Sequence, residues 1–166
     1  MKLKEYSEII EKTAIYPKEV KNFDVAYCYL GVLDEFTELS EKFNNDAPPL
    51  EIMKEQGDVI WYLTALANFF KISVEQVFIK IINFDPTKED IAMVFSLSGK
   101  IKKYYRDNKE IPVDHVSKFI TFMWNSVTKN NSPKEIEQIL QMNYDKLIAR
   151  RDTGTLHGDG DNREIK

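Results

Sequence analysis

Two pairs of acidic residues in this chain have a spacing that could do chemistry. Glu35 and Glu38 stand three residues apart, as do Glu55 and Asp58. On a helix, that spacing puts both members of a pair on one face. Between the pairs lies Asn44-Asn45-Asp46-Ala47-Pro48-Pro49, a loop by its turn chemistry. A short loop makes the two helices antiparallel neighbours, so the acidic pairs can converge. Leu30, Leu33, Phe36 and Leu39 surround the first pair, and the line of the second continues through Tyr62, Ala65 and Phe69. Carboxylates in apolar company repel one another and are costly to bury uncompensated. They either take up protons or bind cations. Hard oxygen ligands with no His or Cys nearby select Mg2+, or Mn2+, over zinc. Such ions share their shell with phosphate oxygens and can generate a hydroxide for attack. The spacing thus suggests phosphoanhydride chemistry without saying which bond breaks. Two solvated acidic faces are the competing reading.

The elements that must position these acids are all helical by pattern. Leu3, Tyr6, Ile9 and Ile10 give helical spacing over residues 2–15, and Pro17 ends that segment. A second helix is expected from about Asp24, its plausible N-cap, to Lys42. The third runs from near Leu50 to about Phe70, and its weakly polar second half predicts a central position. A fourth, Val74 to Ile82, has Ser73 as its cap and Gln76 as a capping-box partner. Further helices are expected over 87–107, Val113 to Thr128, and Pro133 to about Arg151, where Pro133 suits the first helical position. No segment alternates with period two for long enough to be a strand. The class is all-α, a helical bundle.

The 166 residues suit one domain, with an acidic half over 1–82, an inserted or degenerate repeat over 83–151, and a flexible tail over 152–166. The repeat rests on three faint matches: Val59-Ile60-Trp61 with Phe122-Met123-Trp124, Glu75-Gln76-Val77 with Glu137-Gln138-Ile139, and Asn83-Phe84-Asp85 with Asn143-Tyr144-Asp145. The counterpart of Asp34 to Glu38 falls near Gly99 to Tyr105 and is basic. A net charge of −4 argues against a surface for long nucleic acid. Cys28, the single cysteine, reads as a buried thiol in a reducing cytoplasm. No signal peptide or membrane span is expected, since the apolar stretch Val59 to Phe70 is too short for one.

Four segments resemble the MazG-like family of all-α nucleoside triphosphate pyrophosphohydrolases. They are Thr13-Ala14-Ile15-Tyr16-Pro17, Leu30 to Leu39 with an ExxE, Lys54 to Leu63 with an ExxD, and Asn143 to Arg150 followed by Gly154, Leu156 and Gly158 to Arg163. The resemblance covers roughly residues 1–82 and 137–164. It implies that Glu35, Glu38, Glu55 and Asp58 bind Mg2+ and form the catalytic centre. It also implies attack of activated water on the α-phosphorus, giving a nucleoside monophosphate and pyrophosphate. Asn143, Lys146 and Arg150 become candidate contacts to the nucleotide, and Arg163 could approach phosphate if the tail covers the site. Lys54 could touch phosphate, although a solvated role is favoured. For Lys146 and Arg150 the competing role is a favourable charge near a helix C-terminus. The family's assembly implies a homo-oligomer, dimer or tetramer. Phe36 and Thr37 depart from the small residues usual between the first two acids, which could narrow the site or change base preference. About 60 residues separate the fourth helix from Asn143, where single-module relatives continue almost directly.

Other features read as structural. His115 and His157 are isolated, and neither has metal-ligand spacing with an acid or with another His. Lys100, Lys102, Lys103, Tyr104, Tyr105 and Arg106 suit a solvated helix end, and Trp61 and Trp124 suit the core. The basic second half and Phe36 support a different class of function, a non-catalytic nucleotide-binding regulator or interaction module.

Overall fold

The computed structural model describes residues 1–13 and 23–153. Among them are seven helices and no strand. They are α1 (Leu3–Thr13), α2 (Phe23–Asn44), α3 (Pro49–Phe69), α4 (Val74–Val77), α5 (Lys88–Asp107), α6 (Val113–Thr128) and α7 (Pro133–Asp152). The all-α class expected from the pattern is the class observed. No helix among the described residues is long and apolar enough to cross a membrane.

The apolar run in α3 places that helix at the centre. Ile60, Leu63 and Leu66 are fully buried, and α3 packs against α1, α2, α6 and α7. Tyr6 and Ile10, four residues apart on α1, bury one stripe. From α6 come Phe119 and Ile120, and from α7 Ile139 and Leu140. Cys28 is fully buried in α2. Trp124 is buried and stacks on Phe78, with ring centroids 4.4 Å apart. Trp61 is half-buried, edge-on to Tyr62.

The later helices start where their sequences allow. Thr87 and Asp90 form a reciprocal capping box at α5, and Ser132 and Glu135 do so at α7, with Pro133 in its first turn. Helix α5 stops at Asn108, which takes the left-handed conformation that asparagine tolerates (φ 54°).

The fourth helix is shorter than its pattern predicts. It ends at Val77, not Ile82. Asn125 of α6 takes over the backbone beyond it: its Nδ2 donates to the Ile79 carbonyl, and its Oδ1 accepts from the Ile81 N–H at 2.7 Å. Ile79, Ile81 and Ile82 are exposed, so helix through them would bury no apolar stripe. The expected Ser73–Gln76 box is also absent. Ser73 Oγ donates to Glu75 instead, and no side chain caps the helix. Asp24 lies in the first turn of α2, one residue inside its start.

The matched repeat segments differ in part. Glu75–Val77 and Glu137–Ile139 are both helical, but residues 83–85 are irregular whereas 143–145 lie inside α7. Helices α6 and α7 pack directly on α3.

Candidate metal centre

The antiparallel packing of α2 on α3 brings the acids together. Glu35, Glu55 and Asp58 each offer a carboxylate oxygen, and these oxygens lie within 4.8 Å of one another. Glu55 is buried, while Glu35 and Asp58 are half-buried. Glu38 is exposed and lies outside that triplet, although its charge still acts on Glu35. Opposed oxygens around Mg2+ are about 4.2 Å apart, twice the usual bond length. Neighbouring oxygens in the same shell stand about 3 Å apart, so the three side chains would have to draw inward to share one hard cation. Its donors are all oxygen, with no His or Cys, which suits Mg2+ or Mn2+.

Two glycines permit the close approach of the helices. A Cβ at Gly31 of α2 would overlap the Tyr62 ring of α3. A Cβ at Gly57 would stand 3.0 Å from Cβ of Asn143, so α7 can reach α3 beside Asp58.

Helix α7 contributes directly to the cluster. Lys146 Nζ donates to both oxygens of Asp58, at 2.7 and 2.5 Å. Asn143 Nδ2 donates to Asp58 Oδ1 at 2.8 Å. Asn143 in turn accepts from the Tyr6 hydroxyl at 2.6 Å, in a fully buried contact. A chain of hydrogen bonds thus runs from α1 through α7 to the acid on α3. A second cation stands on α2, where Lys42 Nζ lies 3.6 Å from Glu55 and 3.9 Å from Glu51. Lys54 is half-buried and pairs with Glu51 at 2.8 Å. Arg150 is half-buried on α7, four residues beyond Lys146. Arg163 and the tail expected to cover the site lie outside the described residues, as does His157. His115 faces Asp114.

The electrostatics match this geometry. Burial pushes Glu35 up to about 8, the charges of Asp58 and Glu38 push the same way, and Lys146 opposes them. Glu35 is thus a carboxyl in a site already crowded with negative charge. Burial also raises the Tyr62 hydroxyl, reinforced by its hydrogen bond with Tyr27 and by the charge of Glu35. Tyr6 is raised by burial and by Asp58.

Lys42 and Tyr6 are the site residues that the sequence pattern did not single out. Lys42 had a legible signal, since it follows Glu35 by seven residues and Glu38 by four on one helical face. Tyr6 had none, because in α1 it reads as one more apolar position.

Residues of α2, α3 and α6 line a groove of about 510 Å³. Phe36, Phe43, Met53, Gln56, Val127 and Asn131 are among its lining residues, and none of the four acids is. Phe36, one of the two residues between Glu35 and Glu38, lines this groove. Gln56 links three of its lining residues, donating to the Val127 carbonyl and to Asn131 Oδ1.

No protein-family model, curated protein or solved structure matches the chain.

Proposed function

We propose that this chain is a Mg2+-dependent nucleoside triphosphate pyrophosphohydrolase of the MazG-like kind, releasing a nucleoside monophosphate and pyrophosphate. The observation that carries the proposal is the convergence of Glu35, Glu55 and Asp58 within 4.8 Å, beside the amide and ammonium of α7. Bound there, Mg2+ supplies Lewis-acid activation of water and of a phosphoryl oxygen. Glu35, Glu55 and Asp58 would hold the ion, with Glu38 at the rim as a further carboxylate for it. Asn143 orients Asp58 through its amide, while Lys146 and Arg150 receive phosphate oxygens. The substrate class is a ribo- or deoxynucleoside triphosphate, and the role is clearance of the nucleotide pool in the cytoplasm by a homo-oligomer.

The test is incubation with Mg2+ and a panel of ribo- and deoxynucleoside triphosphates, with products separated by chromatography. Monophosphate plus pyrophosphate is the expected product pair. Asp58→Ala should remove turnover and leave a folded helical protein. Wild-type turnover in that variant would place the site wrongly.

One observation favours a second reading. Asp58 already pairs with Lys146, and Glu55 faces Lys42, so the acids have cationic neighbours within the chain. A non-catalytic regulator or interaction module would need no more. In an interaction module, Mg2+ leaves the melting temperature unchanged; a metal at 100 times its dissociation constant would stabilise the fold by about 2.7 kcal/mol. A nucleotide-binding regulator would bind nucleotide and yield no product.

A further inference from the structure

We infer that the groove lined by Phe36, Phe43 and Met53 is a second ligand site, which takes a nucleotide whose base carries an exocyclic amine. This goes beyond the metal-site reading and does not depend on it, since none of the four acids lines the groove.

Three observations carry the inference. The first is shape. The groove's volume of about 510 Å³ falls in the range of small-molecule pockets. Phe36, Leu39 and Phe43 of α2, with Ile52 and Met53 of α3, give it apolar walls suited to a flat ring. Met53 stands one turn before Gln56, and its unbranched side chain can yield to a ligand.

The second is an unfilled acceptor. Gln56 is only 3% exposed. Its Nε2 donates to the Val127 carbonyl, which can only accept, so the orientation of the amide is fixed. The same nitrogen donates to Asn131 Oδ1, which fixes that amide as well. Gln56 Oε1 is left buried with no hydrogen-bond partner among the described residues. Such an atom is uncommon and destabilising, and a donor seated in the groove would satisfy it.

The third is the remaining polar lining. Asn131 Nδ2 donates to no described residue, and Lys129 forms no ion pair with one. Glu135, the acid among the lining residues, is engaged with Ser132. An acceptor on Gln56 and a donor on Asn131 match an amine beside a ring nitrogen. Adenine offers that pattern at N6 and N7, and cytosine offers it at N4 and N3. Lys129 supplies a cation for the phosphate. A base with a carbonyl in place of the amine would set its oxygen against Gln56 Oε1.

The experiment is titration calorimetry of the full chain in chelator, which keeps metal from the acid cluster. The probes are the monophosphates of adenosine, cytidine, inosine and uridine. The first two should bind roughly 5–150-fold more tightly than the last two, the ratio expected when one buried acceptor is left unpaired. Asn131→Asp keeps the oxygen that holds Gln56 and removes the donor, so adenosine monophosphate should bind at least about fivefold more weakly. Met53→Trp should fill the groove and remove binding. Lys129→Gln should weaken the monophosphate and leave the affinity for adenosine itself unchanged. Circular dichroism checks the fold of each variant, and Asn131→Asp keeps the test sharp if Met53→Trp misfolds. Equal affinity for all probes, binding of none, or binding that survives Asn131→Asp undiminished would overturn the inference. Because metal is excluded, each of those results would leave the metal-site reading standing.

Discussion

Replacing Glu35 with glutamine separates what the acid triplet costs the fold from what it contributes to function. In the folded protein Glu35 keeps its proton up to about pH 8, whereas an unfolded glutamate releases it near 4.5. The folded state therefore binds more protons between those values, and metal-free stability falls as pH rises through that window. At about 1.4 kcal/mol per pH unit the upper bound is about 5 kcal/mol. Glu35 is only half-buried, so solvent screening reduces this to roughly 2–3 kcal/mol. For a chain of this size, that corresponds to roughly 4–12 °C in melting temperature. Glu35→Gln keeps the shape and neutrality of the protonated acid at every pH. In chelator, its melting temperature should match the wild type near pH 5 and exceed it by that margin near pH 9. The assay is thermal unfolding followed by circular dichroism at the two pH values. With Mg2+ at alkaline pH the margin should shrink or reverse, because only the wild type gains a ligand oxygen. Parallel pH dependence in the two proteins would show that Glu35 is not the strained acid, and the electrostatic account of the cluster would fail.

Two further substitutions probe the scaffold behind the acids. Tyr6→Phe removes the 2.6 Å buried bond to Asn143 and leaves the amide oxygen unsatisfied, at a cost of about 1–3 kcal/mol. Urea denaturation should show a lower midpoint with unchanged slope, and turnover should fall because Asn143 no longer holds Asp58; an unchanged midpoint would remove Tyr6 from the chain of contacts. Gly31→Ala gains about 1 kcal/mol of helix propensity but drives a methyl into the Tyr62 ring, and overpacking of that kind costs about 1–3 kcal/mol. A net loss is expected in thermal melts, with a change in near-ultraviolet circular dichroism; a stabilised variant would show that the Tyr62 ring yields freely.

The helix that departs from its sequence pattern shows how tertiary contact overrides local preference. The segment Val74 to Ile82 has an acceptable cap and a helical composition. Its second half nonetheless leaves the helix, because one buried amide, Asn125, bonds the backbone at both Ile79 and Ile81. A side chain 44 residues away in sequence supplies that bond, and no local signal announces it. The capping boxes at Thr87 and Ser132 depend on residues three apart, so they form where a helix start is expected.

The same division by distance along the chain applies to the candidate site. By itself, the sequence determined that the protein is helical, that Glu35 and Glu38 share a face, that Glu55 and Asp58 share another, and that a short loop sets the two helices side by side. These follow from helical periodicity and turn chemistry, which act within a few residues. Only the tertiary structure decided which acids meet. Glu35, Glu55 and Asp58 converge and Glu38 stays at the rim, because the rotation of α2 against α3 is set by core packing and by the close approach at Gly31. Only the tertiary structure delivered Asn143 and Lys146 to Asp58, from 85 and 88 residues away, through the contact that Gly57 permits and the bond that Tyr6 supplies. Spacing along one helix specifies a face; where that face points is settled by the helices that pack around it.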